Sequence, residues 1–279
     1  MKKIVFSFAL CLITLISQAQ SKVVYKQTPQ GDLTLEVYHP KNWKTSDARK
    51  CIVFFFGGGW NSRNIEQFVP HATYLAKRGM VSIIADYRVS SDAPLITPKD
   101  CVNDAKSAMR YIRSHAHQLG INPDYIAASG GSAGGHLAAA TAALSGLNDP
   151  KDDLRISCVP NALVLFNPVI NNGPNGYGYD RVKDYYQEIS PAHNIHQNMP
   201  PTLLMVGTKD HLVSQKTVLD FQKQMIQKGN QCDLYYYAFQ PHGFFNKNKI
   251  KDPQYYHRTV AAMVSFLEGL GYLDYTEYN

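Results

Sequence analysis

The sequence lacks the features that mark nucleic-acid-binding and membrane-spanning proteins. Its formal net charge is only +6 over 279 residues, and no block of five or six basic residues occurs. The loose cluster of Lys247, Lys249 and Lys251 is typical of a solvated loop. After residue 19 no apolar run is long enough to cross a bilayer, and no internal repeat or long linker is visible. We therefore expect no nucleic-acid partner and no stable insertion into a membrane.

Cysteine is also scarce, with five in the chain, one of them near the N-terminus. The other four are widely spaced and match no zinc-binding motif. They allow three disulfide pairings, among which the sequence does not choose. Because several neighbour apolar strand or helix positions, buried free thiols are the favoured interpretation for Cys51, Cys101, Cys158 and Cys232. We therefore predict no metal and no cofactor.

The first residues have the pattern of an export signal. Two lysines precede an apolar run over residues 4–16, and small residues follow it. This order predicts a secretory signal peptide over residues 1–19 with cleavage after Ala19, and an exported product that is periplasmic or secreted. Residues 20–279, about 260 in number, suit a single catalytic domain.

Strand and helix patterns alternate along this domain. Polar/apolar alternation around Gly31 predicts an antiparallel hairpin over residues 22–38. Buried parallel strands are predicted at residues 51–56, 80–85, 125–129, 162–166, 201–206 and 234–238. Helix patterns separate these strands, so the fold class is α/β, a mostly parallel doubly wound sheet with helices on both faces. The loop-rich stretch 167–198 is expected to form a small cap or loop over the active site.

The segment Gly130–Gly134, with the order Gly-Gly-Ser-Ala-Gly, separates a predicted strand from an Ala-rich helix. This context is the one that a G-x-S-x-G nucleophile elbow requires. The small residues let strand and helix approach each other, and the turn exposes the hydroxyl of Ser132. We therefore interpret Ser132 as a nucleophile.

A serine nucleophile needs a base and an acid that orients the base. In this architecture the chain order is Ser, then Asp or Glu, then His. Asp210 follows the predicted strand 201–206, and His242 follows the strand 234–238. Because the carboxyl ends of parallel strands share one edge of the sheet, Asp210 and His242 are predicted to meet Ser132 there.

Other histidines and acids fit these roles less well. His136 lies in the helix after the serine, where it is expected to pack or form a hydrogen bond. His193 and His196 are three residues apart but have no acidic ligands nearby, which disfavours a metal site. Asp86 precedes the serine, and with Arg88 it is expected to form a structural ion pair or to position a loop.

Backbone N–H donors for the oxyanion are predicted in two places. Ala133 directly follows the nucleophile at the start of a helix. Gly58 and Gly59 belong to a glycine run after the strand that ends at Phe56, and glycines let the backbone turn its amides inward. A phosphate-binding loop is disfavoured because neither G-x-G-x-x-G nor a G-K-[ST] ending is present.

Together these segments resemble the α/β-hydrolase esterases, in particular the hormone-sensitive-lipase-like and feruloyl or acetyl-xylan esterase-like bacterial carboxylesterases. The matching motifs are Phe56-Gly57-Gly58-Gly59-Trp60, Asp86-Tyr87-Arg88, Gly130-Gly131-Ser132-Ala133-Gly134-Gly135-His136, Gly207-Thr208-Lys209-Asp210 and His242-Gly243-Phe244. The resemblance covers roughly residues 23–267 and implies a Ser132–Asp210–His242 triad that acts through an acyl-enzyme. Phe56 stands where this family usually has the histidine that helps to fix the oxyanion loop.

The sequence therefore predicts a serine carboxylesterase for a small or polysaccharide-linked ester. Export, a short cap and 18 tyrosines favour a short-chain or carbohydrate-linked substrate of acetyl-xylan or feruloyl type. Five aromatic residues are candidates for stacking against a sugar or an aromatic acid: Trp60, Tyr87, Tyr177, Tyr179 and Phe244. The alternative is that these rings fill the core and the cap.

Two other functions share these features. Serine peptidases of prolyl-oligopeptidase type have the same fold and triad order but usually carry a large extra domain, for which this chain has no room. A non-catalytic binding protein on a hydrolase scaffold is disfavoured by the intact Ser, Asp and His.

Overall fold

Eight strands form one sheet in the computed structural model, which describes residues 20–93, 95–247 and 253–275. The predicted signal peptide, Lys249 and Lys251 lie outside the described residues. The strands are β1 (Gln20–Thr28), β2 (Gly31–Tyr38), β3 (Arg49–Phe55), β4 (Val81–Ala85), β5 (Ile121–Gly131), β6 (Ala162–Phe166), β7 (Thr202–Gly207) and β8 (Cys232–Tyr237).

The strand order across the sheet is β1-β2-β4-β3-β5-β6-β7-β8. β2 pairs antiparallel with both of its neighbours, and the pairs from β4 to β8 are all parallel. The predicted N-terminal hairpin is therefore confirmed, as is the mostly parallel sheet. The carboxyl ends of β3 and β5 to β8 lie at one edge, where ligand sites of such sheets form.

Helices cover both faces of the sheet, as predicted. They are α1 (Val69–Lys77), α2 (Pro98–Ser114), α3 (Ala133–Ala143), α4 (Tyr179–Val182), α5 (Tyr186–Ile189), α6 (Gln215–Gln227) and α7 (Gln254–Gly269). Alternate residues of β3 enter two separate cores, because side chains alternate across a strand. Val53 packs in the core with α2, α3 and α6, and Phe54 packs in the core with α1 and α7. No helix of the described ranges is both long and apolar enough to span a bilayer.

Four cysteines lie in the described residues, and all are buried and free, as predicted: Cys51, Cys101, Cys158 and Cys232. Burial raises the pKa of the Cys51 thiol well above its ordinary value. The protonated Cys51 thiol therefore behaves as a small apolar core group.

Of the two roles predicted for Asp86 and Arg88, a mutual ion pair is wrong, whereas the positioning of a loop agrees with the structure. Asp86 pairs with Arg63 at 2.8 Å, whereas Arg88 forms two hydrogen bonds of 2.7 and 2.8 Å with Asp104 on α2. The side chain of Asp104 is fully buried, and a buried carboxylate needs a charged partner. Arg88 therefore ties the loop after β4 to α2.

His71 on α1 is buried inside an aromatic cluster. Its ring centroid lies 4.9 Å from that of Tyr256, 5.1 Å from that of Phe68 and 5.3 Å from that of Phe166. Neither ring nitrogen has a hydrogen-bond partner among the residues that the structure describes. Burial, with a smaller effect from the positive charge of Lys247, lowers the pKa of His71 to about 3.

This burial predicts an acid-sensitive fold. Between pH 6.5 and about 3 the unfolded chain binds a proton at His71 and the folded chain does not, so the free energy of unfolding falls as pH falls. At pH 5 the loss is about 2 kcal/mol. We expect His71→Phe to flatten the decline of the thermal midpoint from pH 7 to pH 5, while His117→Phe at an exposed position leaves it unchanged. Equal slopes in all three proteins would contradict this prediction.

Candidate active site

Ser132 lies in a strained turn between β5 and α3. Its backbone has φ 54° and ψ −118°, a conformation that residues other than glycine rarely adopt. The turn also requires glycine two residues later. A Cβ on Gly134 would lie 2.0 Å from the carbonyl oxygen of Phe55, so no larger residue can be accommodated. The G-x-S-x-G segment therefore has the geometry of a nucleophile elbow.

The three residues predicted for the triad are brought together. His242 Nε2 lies 2.8 Å from Ser132 Oγ, and His242 Nδ1 lies 2.7 Å from Asp210 Oδ2. The side chain of Asp210 is fully buried, and its second oxygen accepts hydrogen bonds from the backbone N–H groups of Leu212 and Val213 at 2.8 and 2.9 Å. The carboxylate is thus held on both oxygens, which fixes the direction in which it faces the imidazole.

The order of the strands in the sheet explains why these three residues lie together. Ser132 directly follows β5, Asp210 lies three residues after β7, and His242 lies five residues after β8. β5 and β7 are separated only by β6, and β8 lies beside β7. Residues distant in sequence therefore converge at one edge of the sheet.

The glycine run after β3 faces the same cavity. Gly58 has φ +152°, and a Cβ there would lie 2.0 Å from the carbonyl oxygen of Ser62, so only glycine fits. In the part of the chain that the structure describes, the N–H groups of Gly58, Gly59 and Ala133 have no hydrogen-bond partner. Three donors near Ser132 are therefore available for a ligand oxygen.

Phe56 takes part in fixing this loop, although the resemblance leads one to expect a histidine there. Its ring stacks on Tyr87 with centroids 4.1 Å apart, and the Tyr87 hydroxyl donates to the Phe56 carbonyl oxygen at 2.6 Å. The N–H of Gly57 donates to Gln67 Oε1 at 2.6 Å. These contacts anchor the start of the glycine run.

Residues 167–198, predicted to form a cap, contain α4 and α5 and contact the glycine run after β3. Arg181 donates to the carbonyl oxygen of Gly59 at 2.9 Å, and its guanidinium lies 5.1 Å from the Trp60 ring. The Trp60 indole N–H donates to His136 Nδ1 at 3.2 Å, and His136 Nε2 lies 2.7 Å from the carbonyl oxygen of Ile189 in α5. His136 thus has the structural role predicted for it, and burial lowers its pKa to about 4.

The predicted substrate-stacking aromatics need correction. Trp60, Tyr87 and Phe244 are almost fully buried, and their rings pack within the protein instead of lining the cavity. Tyr179 lies half-buried on α4, outside the cavity lining. Only Tyr177 of the five lines the cavity, because the direction of a loop side chain does not follow from sequence spacing.

The cavity has a volume of about 680 Å³ and opens above Ser132. Several lining residues were not foreseen from the sequence, and most are polar: Ser62, Arg63, Asn64, Gln67, Asn167, Leu212, Phe245 and Asn246. Asn167 directly follows β6, so the rule that pointed to Asp210 could have found it. The others lie in loops that carry no comparable signal.

Two family models match consecutive parts of the chain: BD-FAE over residues 35–162 and the prolyl oligopeptidase family over residues 165–269. Among solved structures, the apo form of esterase 2 from Thermogutta terrifontis is 42% identical, with a TM-score of 0.88. That match covers 92% of this chain and 97% of the esterase.

Curated relatives are more distant. The acetylxylan esterase of Xylanibacter ruminicola is 25% identical over 88% of this chain and 51% of its own length. The probable carboxylic ester hydrolase LipM of Mycobacterium tuberculosis is 28% identical over 64% of this chain and 45% of its own length. The chain spans about half the length of these curated relatives.

The doubly wound sheet, with its serine at a strand-to-helix elbow, defines the class of α/β-hydrolases. Within that class, the identity over nearly all of esterase 2 is decisive. The chain belongs to the α/β-hydrolase esterases, which are serine hydrolases of carboxylic esters.

Proposed function

We propose that this protein hydrolyses short-chain or carbohydrate-linked carboxylic esters through a Ser132–His242–Asp210 triad. The observation that carries the proposal is the continuous contact from Ser132 Oγ through the imidazole to the buried carboxylate. A carboxylate can only accept, so His242 Nδ1 carries the proton and Nε2 keeps a lone pair. That lone pair faces the serine hydroxyl, as a general base requires.

The reaction follows in two steps. Ser132 Oγ bonds to the ester carbonyl carbon while Nε2 takes its proton, and the oxyanion receives N–H groups from Ala133, Gly58 and Gly59. The imidazolium then protonates the departing alcohol oxygen as the C–O bond breaks, which leaves an acyl-serine. Water attacks this acyl-enzyme with the same base, and the acid leaves as Ser132 regains its proton. No step needs a metal or cofactor.

The cavity supports a small acyl group and a polar alcohol. The aromatic residues Tyr177 and Phe245 line it together with polar side chains such as Arg63, Asn64 and Asn246. Structures of Thermogutta terrifontis esterase 2 exist with propionate and with butyrate bound. The match to an acetylxylan esterase supports the acetyl-ester form of the proposal. Export, which the N-terminal pattern predicts, agrees with a polysaccharide-linked substrate.

Hydrolysis of a series of esters tests this function. We expect the protein without residues 1–19 to give a higher kcat/KM for p-nitrophenyl acetate and butyrate than for the octanoate, and to release acetate from acetylated xylan. Methyl ferulate tests the feruloyl alternative. Activity confined to long-chain esters would contradict the substrate class. Activity that survives in Ser132→Ala would contradict the mechanism.

A peptidase remains the second candidate, because the prolyl oligopeptidase model matches residues 165–269. The same proteins assayed with a blocked proline p-nitroanilide separate the two activities. The proposal predicts ester turnover and no measurable amide turnover.

A further inference from the structure

Asn167 lies against the catalytic histidine although it belongs to none of the assigned roles. It directly follows β6, is fully buried and has a left-handed backbone with φ 35°. Its N–H donates to the carbonyl oxygen of Met205 on β7 at 2.6 Å. A strained, buried polar residue at the carboxyl edge of the sheet is held there by its surroundings, and such residues cluster at active sites.

The orientation of the Asn167 amide follows from its contacts. The backbone N–H of Gly243 can only donate, and it lies 3.0 Å from the amide oxygen Oδ1. The amide nitrogen Nδ2 therefore faces the other way, where it lies 3.4 Å from His242 Nε2. An amide donor thus lies beside the ring nitrogen that receives the serine proton.

A second amide holds Gly243 from its carbonyl side. Asn246 Nδ2 donates to the Gly243 carbonyl oxygen at 2.8 Å, and Gln67 Nε2 donates to Asn246 Oδ1 at 2.9 Å. Gln67 also accepts the N–H of Gly57 at 2.6 Å. Hydrogen bonds therefore connect Asn167, through the Gly243 backbone and two further side-chain amides, to the start of the glycine run after β3.

We propose that Asn167 is a positioning residue that keeps His242 in its neutral, proton-accepting form at the serine. The inference rests on the proposed function. Through Oδ1 it fixes the loop that carries the imidazole, and through Nδ2 it presents a donor to Nε2. A donor at that place favours a free lone pair and disfavours an N–H in the same direction.

Within the described ranges, a small set of charged or titratable groups lies near His242 and sets the background for a pH test. Asp210 contacts Nδ1, and Lys209 and His211 flank it in sequence. Arg63 lines the same cavity but is paired with Asp86 and Asp92. Changing Asn167 leaves all of these in place.

The decisive variant is Asn167→Asp. Its Oδ1 still accepts from Gly243, but a carboxylate oxygen replaces the donor that faces Nε2 and stabilises the protonated imidazole. We expect the acid limb of the kcat/KM profile to move to higher pH by about one unit or more. The rate at pH 6 falls by about tenfold and recovers as pH rises. Asn198→Asp is the matched control, since Asn198 has φ 65°, is exposed and precedes the amino end of β7.

Asn167→Ala provides a second measurement that adds no charge. Loss of both hydrogen bonds is expected to lower kcat by roughly tenfold to 100-fold with KM within about twofold, because a misplaced base slows the proton transfer. Circular dichroism establishes that each variant folds, and the Ala variant carries the test if the Asp variant does not.

An Asn167→Asp protein with wild-type activity and an unmoved acid limb would overturn the proposal, as would an Asn167→Ala protein with unchanged kcat. If the wild-type protein itself shows no Ser132-dependent turnover, the proposed function fails instead. The two failures are therefore distinct.

Discussion

Replacing Ser132 by alanine is expected to lower kcat for p-nitrophenyl acetate by about 10⁴-fold to 10⁶-fold. The change removes the only atom that bonds to the acyl carbon, while the imidazole, its carboxylate and the oxyanion donors stay in place. The Ser132 side chain makes no capping hydrogen bond to α3. The fold is therefore predicted to keep its thermal midpoint within a few degrees.

Ser129→Ala is the matched control for this experiment. Ser129 lies on β5, three residues before Ser132, is fully buried and donates to the Val164 carbonyl oxygen at 2.7 Å. Its loss removes this buried hydrogen bond and is expected to cost about 0.5 to 1.5 kcal/mol of stability. We therefore expect opposite results for the two variants. Ser132→Ala should be stable but inactive, and Ser129→Ala should be less stable but active. Equal activities would contradict the assignment of the nucleophile.

Asp210→Asn is expected to lower kcat by about 10⁴-fold, as in other triads in which an amide replaces the acid. The backbone N–H groups of Leu212 and Val213 donate to one oxygen of Asp210, so the amide oxygen of the variant stays on that side. Its NH₂ then faces His242 Nδ1, which must accept. The proton moves to Nε2, and the imidazole no longer accepts the proton of Ser132.

The matched control is Asp220→Asn on the exposed face of α6, where Asp220 pairs only with Lys216 in the described structure. We expect its kcat to stay within about twofold of wild type, since exposed pairs contribute little. The KM of Asp210→Asn is expected to change little, because the acid does not contact the ester. A loss expressed in KM rather than kcat would contradict the orienting role.

The positions of Ser132, Asp210 and His242 could be predicted from the sequence because each depends on local information. A buried strand has a recognisable pattern, and parallel strands end at one edge. A residue shortly after such a strand therefore has a place in three dimensions before the structure is known. Asn167 follows β6 by the same rule, but the expected chain order of Ser, acid and His assigns no role to an amide at that place.

The residues that line the cavity could not be predicted in this way, because their positions depend on contacts between distant loops. Gln67 and Asn246 contact each other only because the loop after β3 and the loop after β8 meet across the sheet edge. Phe244 was expected at the substrate, yet of the two fully buried neighbours Phe244 and Phe245 it is Phe245 that lines the cavity. A loop has no regular periodicity, so the sequence pattern does not fix the direction of its side chains.

The most direct test of the account is covalent labelling of the nucleophile. Thermogutta terrifontis esterase 2 has been solved phosphorylated by paraoxon, and the same reagent can be applied to this protein. We predict that intact-mass spectrometry shows one diethylphosphoryl group per chain, that peptide mapping places it on Ser132, that hydrolysis stops in proportion, and that Ser132→Ala is not labelled. Ester hydrolysis that continues unchanged after stoichiometric labelling of Ser132, or a label on another residue that abolishes it, would contradict the acyl-enzyme mechanism.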